Sequence, residues 1–186
     1  KKSGGGATSK ALSMYRNGDF AGAIRELSNI RDSGNASSEV MKTLGDIQSF
    51  QAAYNKGQAA SGVKAIKPLE RAYSIDKRLG GSYARKLSAP LADGLCMRAA
   101  EYYAKGTYGS AAKAARKALM YDSDHVNAGQ VLKKCQGKAG DFYEKGMAKL
   151  DSGNNGLAKQ FLKMAVEILP SSDPRKAKAK QALNSL

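Results

Sequence analysis

Apolar residues recur along the chain at the spacing of one face of a helix. In four short segments, a turn-forming cluster is followed by an alanine, and apolar or small residues return four and seven positions later. Each segment therefore predicts a short helix with a single buried face. The segments are GDFAGAIRELSNI (18–30), SGVKAIKPLERAYSI (61–75), GTYGSAAKAARKALMY (106–121) and SGNNGLAKQFLKMAVEILP (152–170).

The four segments align in three columns of small or apolar residues. Successive members of a column are 42, 46 and 47 residues apart, which indicates one supersecondary unit that is repeated. The alanines would allow a neighbouring helix to approach closely. The first column is Ala23, Ala65, Ala111 and Ala158, the second is Leu27, Leu69, Ala115 and Leu162, and the third is Ile30, Ala72, Ala118 and Ala165.

A longer helical stretch precedes each short helix. Serine or aspartate before such a stretch is a favoured N-cap, because its side chain accepts a hydrogen bond from a free backbone N–H. We expect Ser38 to cap the second stretch and Ser82 the third. The stretches are predicted to run from Ser38 to Gly57, from Ser82 to Lys105 and from Ser123 or Asp124 to Leu150.

Proline marks two further helix boundaries. Pro90 lies inside the third stretch and predicts a kink or a restart there, with Ser88 as the new cap. The final helix opens with Ser172, Asp173 and Pro174, which is a cap followed by proline at the first helical position. Since no run of alternating β-branched residues is present, the fold class is predicted to be all-α.

The repeated pattern resembles the tetratricopeptide repeat family. In that family Gly-x-Tyr opens the second helix of each pair, and small and apolar residues follow at fixed positions. The family's period is about 34 residues, whereas the intervals here are longer, and the 61–75 segment departs most, with Gly62 at the aromatic position and Pro68 inside the helix. The matching residues are Gly18, Phe20, Ala23 and Leu27, then Gly106, Tyr108, Ala111 and Ala118, then Gly146, Ala158, Leu162, Ala165 and Pro170.

The resemblance implies a right-handed α-solenoid of about four helix pairs with elongated first helices. The repeats would occupy residues 10–170, and residues 171–186 would form a C-terminal capping helix. Residues 1–9 would be a flexible linker or a remnant of cloning. Residues 142–183 also resemble the helical-repeat tails of bacterial membrane-anchored forkhead-associated (FHA) domain proteins, which implies a periplasmic or envelope-associated protein rather than a cytoplasmic one.

Catalytic and metal-binding motifs are not found in the sequence. Cys96 and Cys135 form no CxxC pair, and His125 is the only histidine, so a His-rich metal site is excluded. The glycine-rich stretch at 4–10 does not satisfy the phosphate-loop pattern GxxxxGK[ST]. No stretch approaches the roughly 18 consecutive apolar residues of a membrane span. We therefore expect a non-enzymatic chain that needs no cofactor.

Charge is the one anomaly of the composition. Lys and Arg number 31 against 16 Asp and Glu, which gives a net charge of +15. Some basic residues recur at equivalent positions of the short helices and predict a basic outer face. This face is either a solvated surface or a ladder that attracts an acidic protein or another anionic polymer. Its residues are Arg25, Lys67, Arg71, Lys113 and Lys117.

The resemblance to tetratricopeptide repeats also implies a second candidate surface, a concave groove lined by the first helices. Tyrosine and aliphatic side chains of this kind grip a peptide or a partner helix, although long first helices could instead bury several of them in the core. The preferred prediction is a protein-interaction scaffold, and the alternative is a basic module that binds nucleic acid or another anionic polymer. The groove residues are Tyr15, Phe50, Tyr54, Tyr103, Tyr143 and Met147.

Overall fold

The computed structural model describes residues 3–186. Within this range every regular element is an α-helix, which confirms the predicted fold class. The helices are α1 (Ser3–Arg16), α2 (Phe20–Asp32), α3 (Ser38–Ala59), α4 (Val63–Arg78), α5 (Ala84–Ala104), α6 (Tyr108–Tyr121), α7 (Val126–Asp151), α8 (Asn155–Ile168) and α9 (Pro174–Asn184).

The chain divides into two compact units, and the division falls inside α5. The first unit ends at Gly94 and the second begins at Leu95. In the first unit α1 packs against α2 and α3, and α3 also packs against α4. In the second unit α7 packs against α6 and α8, and α9 lies against α7 and α8.

A three-residue connection joins the helices of each pair α1/α2, α3/α4, α5/α6 and α7/α8. Each connection contains one glycine with a positive φ, a conformation that L side chains rarely adopt. The tight turns therefore require glycine at these places. The glycines are Gly18, Gly62, Gly106 and Gly153, with φ values of 86°, 55°, 74° and 74°.

The predicted columns of the short helices are buried. Every member is buried except Ile30, which is half-buried. A fourth buried column, which the sequence pattern did not reveal, lies on the first helix of each pair, twelve positions before the first-column alanines. It consists of small residues, which allows the paired helices to approach closely. Its members are Ala11, Ala53, Ala99 and Gly146.

Several helix starts follow the predicted chemistry with small shifts. Asp173 caps α9 and Pro174 is its first residue, as predicted. The cap of α3 is Ser37 rather than Ser38, since the Ser37 Oγ accepts a hydrogen bond from the Val40 N–H at 3.3 Å. The cap of α7 is His125, whose Nδ1 accepts from the Ala128 N–H at 3.2 Å.

The prediction of a restart at Pro90 is wrong. The helix α5 continues through this proline, and the Ser88 Oγ donates to the Ala84 carbonyl instead of capping a new helix. Leu87 and Leu91 lie four positions apart on this helix and are both fully buried. Packing of that face therefore outweighs the hydrogen bond that the proline removes.

The predicted flexible linker at 1–9 also needs correction. Residues 1 and 2 lie outside the described residues, and α1 already begins at Ser3. Thr8 and Ala11 are one helical turn apart and are both buried. Their burial stabilises the first turns of α1 in spite of the low helix propensity of the glycines there.

Candidate functional site

Two residues of the predicted concave groove belong to the core of the first unit. Tyr15 and Phe50 are fully buried, so they cannot contact a partner, and this part of the groove prediction is wrong. Their ring centroids lie 5.0 Å apart in an edge-to-face arrangement. Phe20, Tyr54 and Tyr83 complete the cluster, at centroid distances between 5.2 and 6.1 Å. The elongated first helices bury this part of their apolar faces against neighbouring helices, so Tyr15 and Phe50 are not on an open strip.

A buried carboxylate lies beside this aromatic cluster. Asp76 is fully buried near the end of α4 and accepts a hydrogen bond from the Tyr15 hydroxyl at 2.6 Å. It also accepts the backbone N–H of Tyr83 with both oxygens, at 3.1 and 3.0 Å, just before α5 begins. The Tyr83 hydroxyl donates to the Tyr15 carbonyl at 3.1 Å. Asp76 thus connects α1, α4 and the start of α5.

Burial and the neighbouring carboxylate shift the pKa values of two tyrosine hydroxyls. Burial, followed by the hydrogen bond to Asp76 and its negative charge, raises the pKa of Tyr15 far above its usual value. Burial also raises the pKa of Tyr83. Asp76 is not among the residues predicted from the sequence, although its position carries a signal. A carboxylate in the last turn of a helix interacts unfavourably with the helix dipole, so its presence there indicates a tertiary contact.

The other predicted groove residues are half-buried. Tyr54 stacks on Phe50 with a centroid distance of 5.5 Å. Tyr103 packs edge-to-face on Tyr108 at 5.2 Å. Tyr143 and Met147 pack against the apolar cluster between α8 and α9. Each of these four side chains keeps a part of its surface accessible, but each is also held by its own unit's core.

The five predicted basic residues are all exposed. Two of them, Lys67 and Arg71, line an open groove between α3 and α4. This groove, which we call the α3/α4 groove, has a volume of about 740 Å³. Ligand pockets typically measure about 300–1,000 Å³, so the groove has room for a small ligand or a few residues of a peptide.

Four cations surround the α3/α4 groove. Lys64, Lys67 and Arg71 lie on one face of α4, at the i, i+3 and i+7 positions, and Lys56 faces them from α3. No carboxylate is among the residues that line the groove, so nothing in the lining itself offsets their charge. The groove is therefore a site of positive potential that favours an anion.

The floor of the groove is apolar and open because its residues are short. Ala52 and Ala53 on α3 lie opposite Pro68 on α4, and Gln48 and Ser49 close the α3 side. Pro68 has no N–H, so it makes no helical hydrogen bond to the Lys64 carbonyl. An apolar floor within a ring of cations suits a ligand that is both acidic and partly apolar.

Equivalent positions of the first helix pair hold an ion pair. Lys10 and Glu26 lie 42 residues before Ala52 and Pro68, the same interval that separates the aligned columns. The Lys10 Nζ lies 3.1 Å from Glu26 Oε2. Arg25 belongs to the predicted basic face of this helix pair. The neighbouring Glu26, at the position equivalent to Pro68, brings a negative charge that the α3/α4 groove lacks.

Lys113 and Lys117 line another groove, between α5 and α6 in the second unit. This α5/α6 groove has a volume of about 310 Å³ and also contains Arg98 and Tyr102. Four of the five predicted basic residues therefore line two grooves, one in each unit, and Arg25 lines neither of them.

The two cysteines are both buried, and no disulfide joins Cys96 to Cys135. Burial raises the pKa of the Cys135 thiol, against the opposing charge of Arg116. Among residues 3–186 no group of three or more His, Cys, Asp or Glu side chains could hold a metal ion. No helix in that range has the length and apolar character needed to cross a membrane.

Comparison with known proteins yields no relative. No family model matches the chain, and neither a curated protein nor a solved structure does so.

Proposed function

We propose that this chain is a helical-repeat module that binds an acidic segment of a partner protein in the α3/α4 groove. The proposal keeps the predicted role of an interaction scaffold, but it places the contact on the basic residues rather than on the tyrosine strip. The main support for this proposal is the cluster of four cations around an open groove whose lining contains no carboxylate. The four cations are Lys56, Lys64, Lys67 and Arg71.

The repeat architecture is part of this proposal. Four helix pairs with equal connections and buried small-residue columns support a tetratricopeptide-like arrangement with elongated first helices. A right-handed α-solenoid with α9 as its cap is the arrangement that such pairs form in repeat proteins. The envelope association implied by the FHA resemblance stays a prediction.

An acidic protein segment fits the α3/α4 groove better than nucleic acid does. Binding of single strands relies on aromatic side chains on which bases stack, and no aromatic residue lines this groove. Ala52, Ala53 and Pro68 offer an apolar surface that a phosphate backbone would not use. A peptide with Glu or Asp beside Leu would satisfy both the cations and the apolar floor.

Binding of a fluorescein-labelled peptide that contains Glu and Leu in equal numbers tests the proposal. Fluorescence anisotropy should give saturable binding that weakens with salt, and replacing every Glu by Gln in the peptide should abolish it. The variant Lys67→Gln with Arg71→Gln should bind about tenfold more weakly, because it removes two of the four cations.

The matched control is Arg25→Gln with Arg85→Gln, which removes two exposed charges outside the groove. It should bind the peptide like the unaltered protein. Equal weakening in both variants would mean that the overall charge attracts the peptide and would contradict a groove. Tighter binding of an oligothymidylate than of the peptide would favour the nucleic-acid alternative.

A further inference from the structure

The α5/α6 groove of the second unit repeats the α3/α4 groove residue by residue. Each of the seven residues that line it lies 46 positions after a residue that lines the α3/α4 groove. Lys113 thus corresponds to Lys67, and Lys117 corresponds to Arg71. The same interval of 46 residues separates the buried columns of these two helix pairs, so the grooves share one position on one kind of helical hairpin.

The repeated groove keeps its positive charge. Arg98, Lys113 and Lys117 line it, and its lining contains no carboxylate. On α5 the position of Lys56 is taken by Tyr102, which removes one cation. The position of Ala52 is taken by Arg98, which supplies another cation on the same helix. The larger side chains explain the smaller volume of about 310 Å³ against about 740 Å³.

The corresponding positions of the other two helix pairs do not form such a site. In α1/α2 the ion pair between Lys10 and Glu26 occupies the place of the opening. In α7/α8 the residues 47 positions after Lys113 and Lys117 are Gln160 and Met164. The rings of Phe142 and Phe161 stack there at a centroid distance of 6.3 Å, and Phe161 takes the position of Ala114. Among the described residues, the two middle pairs are thus those in which a groove at this position is lined by cations and by no carboxylate.

We infer that the α5/α6 groove is a second acidic-segment site, so that one chain binds two acidic segments of a partner protein. The inference rests on the proposed function, since it assigns the same ligand class to the second groove. With three cations rather than four and a smaller volume, the second site binds more weakly than the first.

Isothermal titration calorimetry with the Glu- and Leu-containing peptide counts the sites. The unaltered protein should show two sites. Either Lys67→Gln with Arg71→Gln or Lys113→Gln with Lys117→Gln should weaken its own groove about tenfold, below detection at the concentrations used, and leave one measurable site. Combining all four substitutions should abolish binding. The control Lys163→Gln with Lys178→Gln removes two exposed charges of the second unit outside the groove and should retain both sites.

The titration distinguishes failure of the second site from failure of the proposed function. A single site that only Lys67→Gln with Arg71→Gln removes would overturn the second site and leave the proposed function standing. No saturable binding at all would overturn both. Retention of two sites in the Lys113→Gln, Lys117→Gln variant would place the second site elsewhere and refute the assignment to the α5/α6 groove.

Discussion

The two units use similar helical hairpins but fill them differently. In the first unit five aromatic rings pack together beside a fully buried carboxylate. In the second unit the fully buried positions of the core around α6 and α7 are held mainly by alanine, together with Cys135 and the last residues of α8. The buried alanines of that unit include Ala111, Ala112, Ala115, Ala118, Ala139 and Ala165.

This difference shows that the hairpin does not depend on one kind of core. Large rings fill the space between helices by their volume, so the first unit should suffer most from truncation. Alanine and glycine let helices approach closely, so the second unit should suffer most from enlargement. Each unit nevertheless carries a basic groove at the same position of one of its hairpins.

The largest effect is expected from removing a ring of the aromatic cluster. Tyr15→Ala deletes a fully buried side chain and leaves Asp76 without one of its donors. Large-to-small substitutions of buried aromatics cost about 3–5 kcal/mol, and the loss of the donor adds to this. Denaturant unfolding should show a loss of about 4 kcal/mol or more. Hydrogen exchange of α3 should accelerate.

Truncation of an exposed side chain in the second unit serves as the control and should have little effect on the free energy of unfolding. Met120 is 83% exposed, so Met120→Ala should change the free energy of unfolding by less than about 0.5 kcal/mol. A small loss in Tyr15→Ala as well would contradict the central role of the ring cluster.

Alkaline pH should weaken the first unit through the same hydroxyl. Because the pKa of Tyr15 is raised in the folded state, the folded protein keeps a proton that the unfolded chain releases above its ordinary pKa of about 10. The contribution of the Tyr15 hydroxyl to the free energy of unfolding is thus fully present below about pH 10 and is lost as the pH rises further. The pKa of Tyr83 is also raised, so both tyrosines lower the free energy of unfolding as the pH rises above about 10.

Tyr15→Phe separates the hydroxyl from the ring. The substitution should cost about 2 kcal/mol at neutral pH, since the hydrogen bond to a charged carboxylate is lost. It should also flatten the decline of unfolding free energy above pH 10, measured by urea titrations at several pH values. A decline as steep as in the unaltered protein would assign the alkaline sensitivity to other groups.

Close helix approach is tested by adding a single methyl group. In α7 a Cβ at position 146 would lie 2.7 Å from Leu162 Cγ, whereas a Cβ at Gly137 would meet nothing within 4 Å. Leu162 is fully buried and has little room to move. Gly146→Ala should therefore cost about 1–2 kcal/mol, while Gly137→Ala should gain about 0.5–1 kcal/mol through helix propensity.

The first unit offers the same pair of substitutions on α3. A Cβ at Gly57 would lie 2.8 Å from Leu69 Cγ, and a Cβ at Gly45 would meet nothing within 4 Å. Thermal unfolding should rank Gly45→Ala above the unaltered protein and Gly57→Ala below it. Equal effects at both glycines would show that helix approach does not limit these hairpins.

Much of the fold was predictable because it depends on local rules. The i, i+4, i+7 spacing of Ala158, Leu162 and Ala165 identified a face that the structure buries. The cap at Asp173 and the turn glycines likewise follow from local backbone chemistry.

The candidate site was only partly predictable because it depends on contacts between helices. The resemblance to tetratricopeptide repeats predicted that Tyr15 and Phe50 line the groove, but a resemblance cannot say whether another helix covers these side chains. Register alone also gave Arg25 and Lys67 the same role. The carboxylate of Glu26, which pairs with Lys10 from another helix, separates the two positions in the structure. Lys56 joins Lys67 only because α3 packs against α4.

Backbone amide shifts during titration with the Glu- and Leu-containing peptide test the groove most directly. We expect the largest changes at low peptide concentration to fall on α3 and α4 around Ala52, Lys56 and Lys67, with the Arg25 amide unchanged. Shifts of similar size at Arg25 and other exposed cations, or shifts centred on the half-buried Tyr54, would contradict it.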